Sequence, residues 1–205
     1  MSVSRFIIGV SGRSGSGKST LVRKILDYYG SDHVCLHTMD NYYLPRDQQL
    51  VDDQEYLNFD LPTSFYRERF HRDLLLLQAG KVVEIEEYVF NNETEVSKML
   101  IHSAPIILVE GLFIYHYDEI RQLMDYKIMM DVTKDTCYKR RLRRDTSERN
   151  YSETEISYRY NSHVEPSYIT YIKPYLEEVD LHLSNEKSMD EGWKSIQEIV
   201  EQQIS

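Results

Sequence analysis

Apolar residues in this chain fall into short continuous runs, separated by stretches where they recur at helical spacing. Phe6-Ile7-Ile8-Gly9-Val10 forms one run and Pro105-Ile106-Ile107-Leu108-Val109 another, and short wholly apolar segments of this kind predict strands buried on both faces. Residues 33–39, 126–132 and 180–183 read as three further strands. Leu21, Val22, Ile25 and Leu26 share one helix face, and residues 64–78 read as a helix closed by Gly80. Residues 134–179 read as a long polar helical stretch that Pro166 and Pro174 interrupt, with a capping box at Ser152-Glu153-Thr154-Glu155. The tail, residues 190–204, is an amphipathic helix carrying Trp193, Ile196, Ile199 and Val200. Residues 81–102 read as two extended segments around an Asn91-Asn92 turn, a hairpin projecting from the main sheet. Strands alternating with helices predict an α/β fold with helices on both faces of its sheet.

The chain has 205 residues, a length that predicts one domain over residues 1–205 with a substantial core. Its formal net charge of −10 argues against a general binder of nucleic acid or membrane surface, since both are themselves anionic. No apolar run approaches the length of a membrane span. Cys35 and Cys137 fit no metal-ligand spacing, and Cys35 with His37 makes two ligands where zinc takes four. With no signal-like segment, these two cysteines predict a reducing, cytoplasmic setting.

Chemistry enters with Gly12-Arg13-Ser14-Gly15-Ser16-Gly17-Lys18-Ser19, a GxxxxGK[ST] pattern set between an expected strand and an expected helix. There the glycines let the backbone wrap closely and aim its N–H groups at phosphate oxygens, and the helix N-terminus adds partial positive charge. Lys18 is expected at the β and γ phosphates and Ser19 at Mg²⁺. A nucleoside triphosphate is the implied ligand, held by Gly12, Ser14, Gly15, Ser16, Gly17, Lys18, Ser19 and Thr20.

Ligands of open α/β sheets sit at the carboxyl ends of the strands, where Asp40 and Glu110 fall. Glu110, ending the central apolar run, has the position of a Walker B acid on Mg²⁺; the alternative is a carboxylate capping the next helix. Asp40 is placed to accept a proton from an attacking hydroxyl with a secondary part at the metal, or else is a turn aspartate. Lys139-Arg140-Arg141-Leu142-Arg143-Arg144 reads as a solvated helix surface, a nucleic-acid patch or a phosphate clamp, and the run alone does not decide among them. Tyr168, Tyr171 and Tyr175 recur at helical spacing, which fits core or subunit contact.

Together these segments resemble the uridine kinase family, within the wider phosphoribulokinase/uridine kinase group. The resemblance spans residues 6–183. It rests on Gly12 to Thr20, Asp40-Asn41-Tyr42-Tyr43, Asn58-Phe59-Asp60-Leu61-Pro62, Tyr88-Val89-Phe90, Val109-Glu110-Gly111, and Arg140-Arg141 through Arg144-Asp145 to Glu148-Arg149. It implies a doubly wound, five-stranded parallel sheet, a β-hairpin (about 81–102) over the acceptor site and a helical arginine lid (about 138–152). By the family pattern Asp40 is the general base for a nucleoside 5′-hydroxyl and Asp60 holds the ribose hydroxyls. Tyr43, Tyr88 and Phe90 line the sugar and base pocket, and Arg141, Arg144 and Arg149 belong to the lid and phosphate clamp.

Three positions depart from that pattern. A histidine that reads the pyrimidine edge in other members, shortly after Tyr-x-Phe, is here Glu93. The lid's Glu-Arg-Gly-Arg is Glu148-Arg149-Asn150-Tyr151, one arginine fewer, and a glutamine near the pocket aligns with Arg159. The expected activity is ATP- and Mg²⁺-dependent phosphorylation of a nucleoside, uridine or cytidine, with Glu93 and Arg159 facing the substrate. Its rivals are the same chemistry on another riboside, sugar phosphate or hydroxy acid, and a non-catalytic nucleotide-binding protein. A homo-oligomer is hinted at by the tyrosine stripe and the C-terminal helix.

Overall fold

The apolar run at the start of the chain becomes the middle strand of a parallel sheet in the computed structural model, which describes residues 5–88, 97–186 and 189–204. In chain order the elements are β1 (Phe6–Gly12), α1 (Lys18–Tyr29), β2 (Val34–Thr38), the short β3 (Leu50–Val51) and β4 (Leu57–Asn58), and α2 (Arg67–Gln78). There follow β5 (Val83–Glu87), β6 (Ser97–Ile101), β7 (Ile106–Glu110), α3 (Asp118–Arg121), β8 (Tyr126–Met130) and α4 (Lys134–Arg149). The chain continues through α5 (Glu153–Arg159), α6 (Glu165–Ser167), β9 (Leu181–Leu183) and α7 (Asp190–Ile204). The main sheet is five-stranded, ordered β2-β7-β1-β8-β9, and every neighbouring pair in it is parallel.

Strand side chains alternate between faces, and here each face is apolar, which is why these strands read as unbroken hydrophobic runs. Ile7, Ile107, Val109 and Met129 face one core with Phe70, Leu74 and Leu77 of α2. Ile8, Val10, Ile106, Leu108, Ile128 and Met130 face the other with Leu21, Val22 and Ile25 of α1 and Ile196 and Val200 of α7. Helices therefore cover both faces. The tyrosine stripe and α7 pack on these cores: Tyr168 is buried with the first, Tyr171 and Tyr175 lie against it, and Trp193 lies against the second.

Two helix boundaries differ from expectation. Helix α2 starts at Arg67 rather than 64, because Pro62–Ser64 forms a separate tight turn and Phe65 is extended, bridged to Tyr43. Pro166 does not interrupt its helix. Wide π-type turns at Tyr160–Val164 and Tyr168–Ile172 flank it, giving room for a ring that would otherwise strike the carbonyl one turn back. Pro174 sits at the start of a tight turn, Lys173–Glu178, where a missing N–H is harmless. The break lies at Asn150, in the left-handed region with φ +57°, between α4 and α5, and α5 starts where the capping box at Ser152 opens the second half of the stretch. Strands β5 and β6 pair antiparallel as the two sides of the expected hairpin, whose Asn91-Asn92 turn lies outside the described residues.

Tyr115 ties β1 to β8 from within the core. Its hydroxyl lies 2.8 Å from the Gly9 carbonyl and 2.9 Å from that of Ile128, and accepts from the Ile128 N–H at 2.9 Å. Burial holds this phenol well above its usual pKa, so it stays neutral. Tyr115→Phe leaves the Ile128 N–H without that acceptor and should lower stability by about 1–3 kcal/mol. The urea midpoint should fall with an unchanged slope; a midpoint equal to wild type would show that the hydroxyl contributes nothing net.

Candidate active site

The phosphate loop leaves β1 and is wedged between the backbone of α4 and the Asn185 side chain. Gly15 and Gly17 have φ of +84° and +94°, a region that side chains disfavour. A Cβ at Gly15 would lie 2.6 Å from the Cys137 carbonyl oxygen in the first turn of α4, and one at Gly17 would lie 2.1 Å from Asn185 Nδ2. Arg140 reinforces the second contact, donating to Asn185 Oδ1 at 2.7 Å and to its carbonyl at 3.1 Å. Arg13 pins the loop on the other side, bonded to Glu165 and stacked 3.4 Å over the Tyr168 ring. Within the loop, Lys18 Nζ donates to the carbonyls of Gly12 and Arg13, each at 3.2 Å. Ser16 Oγ is buried without a hydrogen-bond partner among the described residues. A lysine, an unspent hydroxyl and the N-terminus of a helix with no acid in its first turn suit a polyphosphate.

Strand register brings the acids to the loop. Glu110 lies opposite Val10 on one side and Thr38 on the other, and Thr38 Oγ1 donates to its carboxylate at 2.8 Å. Burial first, then the charge of Asp40, pushes Glu110 up to about 7, with Lys18 and Thr38 pulling it down. Asp40 follows β2 in the tight turn Met39–Tyr42 and keeps its side chain open to the cleft. Protein packed on its other sides raises its carboxyl above the usual range, against Lys18, Arg149 and Arg144, which lower it. A divalent cation would relieve this crowding of negative charge. The donors at hand are hard oxygens, the Ser19 hydroxyl and the carboxylates of Glu110 and Asp40, and among the described residues no group of three or more His, Cys, Asp or Glu forms a full cage. Few protein oxygens beside a phosphate site fit Mg²⁺, which keeps water and phosphate ligands.

The arginine-rich run lies on α4 and faces the loop. Arg141 is buried, donates to Ser14 Oγ at 2.9 Å and lies 3.6 Å from Asp60. Asp145, 2% exposed, ion-pairs with Arg141, Arg144 and Arg149 at once. At the other end of the cleft Tyr43 packs against Phe65, Phe59 and Tyr88, and its hydroxyl is held well above its usual pKa by burial and by Asp40 and Asp60. Arg159 is paired to Glu155 at 2.9 Å, donates to the Leu57 carbonyl at 2.8 Å, and lies over Tyr56 and Tyr151. Asp52 ties the β3–β4 ribbon to this wall, bonded to His163 at 2.6 Å and Tyr158 at 2.9 Å.

One cleft of about 400 Å³ gathers these groups. Ser14, Gly15, Gly17, Lys18, Ser19 and Thr20 line it on the loop side; Asp40, Glu110, Arg141, Arg144 and Arg149 line it at the centre; Tyr43, Asp60, Tyr88 and Arg159 line it at the far end. Gly12 and Ser16 stand behind the lining, within the loop, and Phe90 and Glu93 lie outside the described residues. Sequence reasoning assigned no role to Phe59, Leu112 and Arg140, which also line the cleft, nor to Asp145 behind it. For Asp145 the signal was present: an acid four residues from an arginine on either side.

Residues 7–190 match the phosphoribulokinase/uridine kinase family. A uridine kinase of Lactobacillus johnsonii is 36% identical over 171 residues, covering 82% of this chain and 81% of that protein. Uridine-cytidine kinase A of Dictyostelium discoideum is 35% identical over 176 residues, 85% of this chain and 35% of that longer one. In fold, a possible uridine kinase of Bacillus stearothermophilus superimposes with a TM-score of 0.62 at 17% identity, covering 89% of this chain and 90% of that one. Among the described residues no helix is long and apolar enough to cross a membrane.

Gly15→Ala places a Cβ against a backbone carbonyl that cannot swing aside. Its nucleotide affinity, measured by calorimetry, should fall at least about tenfold, equivalent to ~1.4 kcal/mol; affinity equal to wild type would show that the loop relaxes freely. Glu110 sets a pH dependence. Its folded pKa lies above the ordinary value of 4.5, so between the two the native state holds a proton that the unfolded chain has released. Stability of ligand-free protein should fall as pH rises through that window, giving a lower urea midpoint at about pH 7.5 than at about pH 5.5. Glu110→Gln should flatten this slope, and an unchanged slope would assign it to another group.

Proposed function

The chain belongs to the phosphoribulokinase/uridine kinase family and is a phosphotransferase with a hydroxyl acceptor, and within that family we propose that it transfers the γ-phosphoryl group of ATP to the 5′-hydroxyl of a nucleoside, uridine or cytidine, as one kinase domain. The observation that carries the reading is the shared cleft, in which Asp40 stands between the phosphate loop and a wall formed by Asp60, Tyr43, Phe59 and Tyr88. The uridine kinase relatives, similar over most of this chain, support the acceptor class.

In this reading Lys18 and the loop N–H groups hold the β and γ phosphates, with Gly12 and Ser16 shaping the loop and Thr20 beside it. Ser19, Glu110 and Asp40 would hold Mg²⁺, which supplies positive charge to the phosphate oxygens when bound. Asp60 accepts from the ribose hydroxyls, Tyr43 and Tyr88 enclose the sugar, and by the family pattern Phe90 would join them. Asp40 accepts the 5′-hydroxyl proton as that oxygen bonds to the γ phosphorus, and the bond from phosphorus to the ADP oxygen breaks. A carboxylate raised by its surroundings is a stronger base than a free one, while Lys18, Arg144 and Arg149 favour its ionised form. Arg141, Arg144 and Arg149 meet the negative charge on the transferring group. By the family pattern Glu93 and Arg159 would meet the base; where other members carry histidine and glutamine, these two would change the hydrogen-bonding character. That change motivates the second reading, the same transfer to another small hydroxyl compound.

ADP release with ATP and Mg²⁺ should be stimulated strongly by uridine or cytidine. Turnover on a different member of a nucleoside and sugar panel, with silence on both pyrimidines, would reassign the acceptor, and no acceptor-dependent turnover would refute the kinase reading. Asp40→Asn should lower kcat by about 10²–10⁴-fold while ATP affinity changes little. Near-normal turnover in that variant would remove Asp40 from the role.

A further inference from the structure

We propose that Asp145, which does not line the cleft, is the positioning residue that fixes Arg141, Arg144 and Arg149 over the transferring phosphoryl group, an inference that rests on the kinase reading above. Its carboxylate is 2% exposed on α4. One oxygen lies 3.1 Å from Arg141 Nε; the other lies 2.8 Å from Arg144 Nε and 3.3 Å from Arg149 Nη1. Arg141, Asp145 and Arg149 are spaced four apart, so they stack on one helix face, and Arg144 reaches round from the neighbouring position.

The geometry separates holding from working. Asp145 accepts a hydrogen bond from Arg144 Nε and ion-pairs with Arg141 at Nε without one, in both cases at the stem edge of the guanidinium, while all three arginine side chains line the cleft. Arg141 also spans to Ser14 in the phosphate loop and to Asp60 in the acceptor wall, which registers the cluster to both substrates' sites. One negative charge set among three positive ones lets the guanidiniums crowd together and still leaves the group cationic. Without it they repel one another and spread, and the positive charge over the cleft increases.

Position and attraction therefore respond in opposite directions to the loss of Asp145, whereas an acid that merely stabilised the helix would impair everything together. In Asp145→Asn, close in shape, kcat at saturating ATP and acceptor should fall about 10- to 100-fold, while KM for ATP stays level or drops. Asp145→Glu should recover part of kcat. Arg144→Gln should cost a much smaller factor in the Asp145→Asn background than in wild type, because the arginine is already misplaced. Circular dichroism and Tm accompany each variant, and if Asp145→Asn does not fold, the cycle with Arg144→Gln is run on Asp145→Glu. Equal factors in both backgrounds, or a rise in ATP KM in step with the loss of kcat, overturn the proposal. Wild-type protein without acceptor-dependent turnover overturns the kinase reading and this inference with it; wild-type turnover that survives Asp145→Asn unchanged overturns this inference alone.

Discussion

Strands β2 and β7 end level with one another while β1 runs two residues further, and the cleft depends on that alignment. Glu110 lies between Val10 and Thr38, with the phosphate loop starting two residues beyond one and Asp40 two residues beyond the other. All five residues of β7 are buried, so both faces of the strand are spoken for. A slip of one residue would exchange its two side-chain sets between different cores and carry Glu110 to the wrong face. The packing that stabilises the sheet thus also fixes the separation between the phosphate site and the acids.

Around that edge the charges form a pattern the whole-chain balance conceals. The protein is acidic overall, with a formal charge of −10, yet the cleft gathers Lys18, Arg140, Arg141, Arg144, Arg149 and Arg159. Several of these cations have acidic companions: Asp145 for three of them, Asp60 also for Arg141, and Glu155 for Arg159. Such pairing limits how much of the positive field reaches bulk solvent while keeping it available at short range to a ligand in the cleft. It also reconciles a phosphate-binding site with a surface that repels other polyanions.

What could be read from the sequence was what is local. The phosphate loop declares itself through its own spacing and its flanking strand and helix, and Glu110 through the apolar run it ends. Ser152 caps α5 by accepting from the Glu155 N–H as the box pattern requires. Asp60 needed the family resemblance, because a lone acid between Phe59 and Leu61 carries no periodic signal. Asp145 stood within a stretch that carries the family resemblance, but its spacing alone gave it no role, since ion pairs at this spacing are commonplace on solvated faces; its burial comes from the packing of α4 over the loop. The same long-range packing explains the misreading at Pro166, where the widened turns belong to a helix whose Tyr168 must reach Arg13. Local rules do not report such demands.

Some side chains at the far end of the cleft stand on different foundations from those at the near end. Tyr151 belongs to the joint after α4 and Arg159 to α5, and neither belongs to either hydrophobic core. Lys18, Glu110 and Asp40, by contrast, sit on elements that the sheet cannot spare. Exchanges among the first group should leave the core's stability almost untouched, so on the proposed reading the choice of acceptor can drift through neutral steps. The chemistry is inherited with the fold, and the substrate is open to evolutionary negotiation.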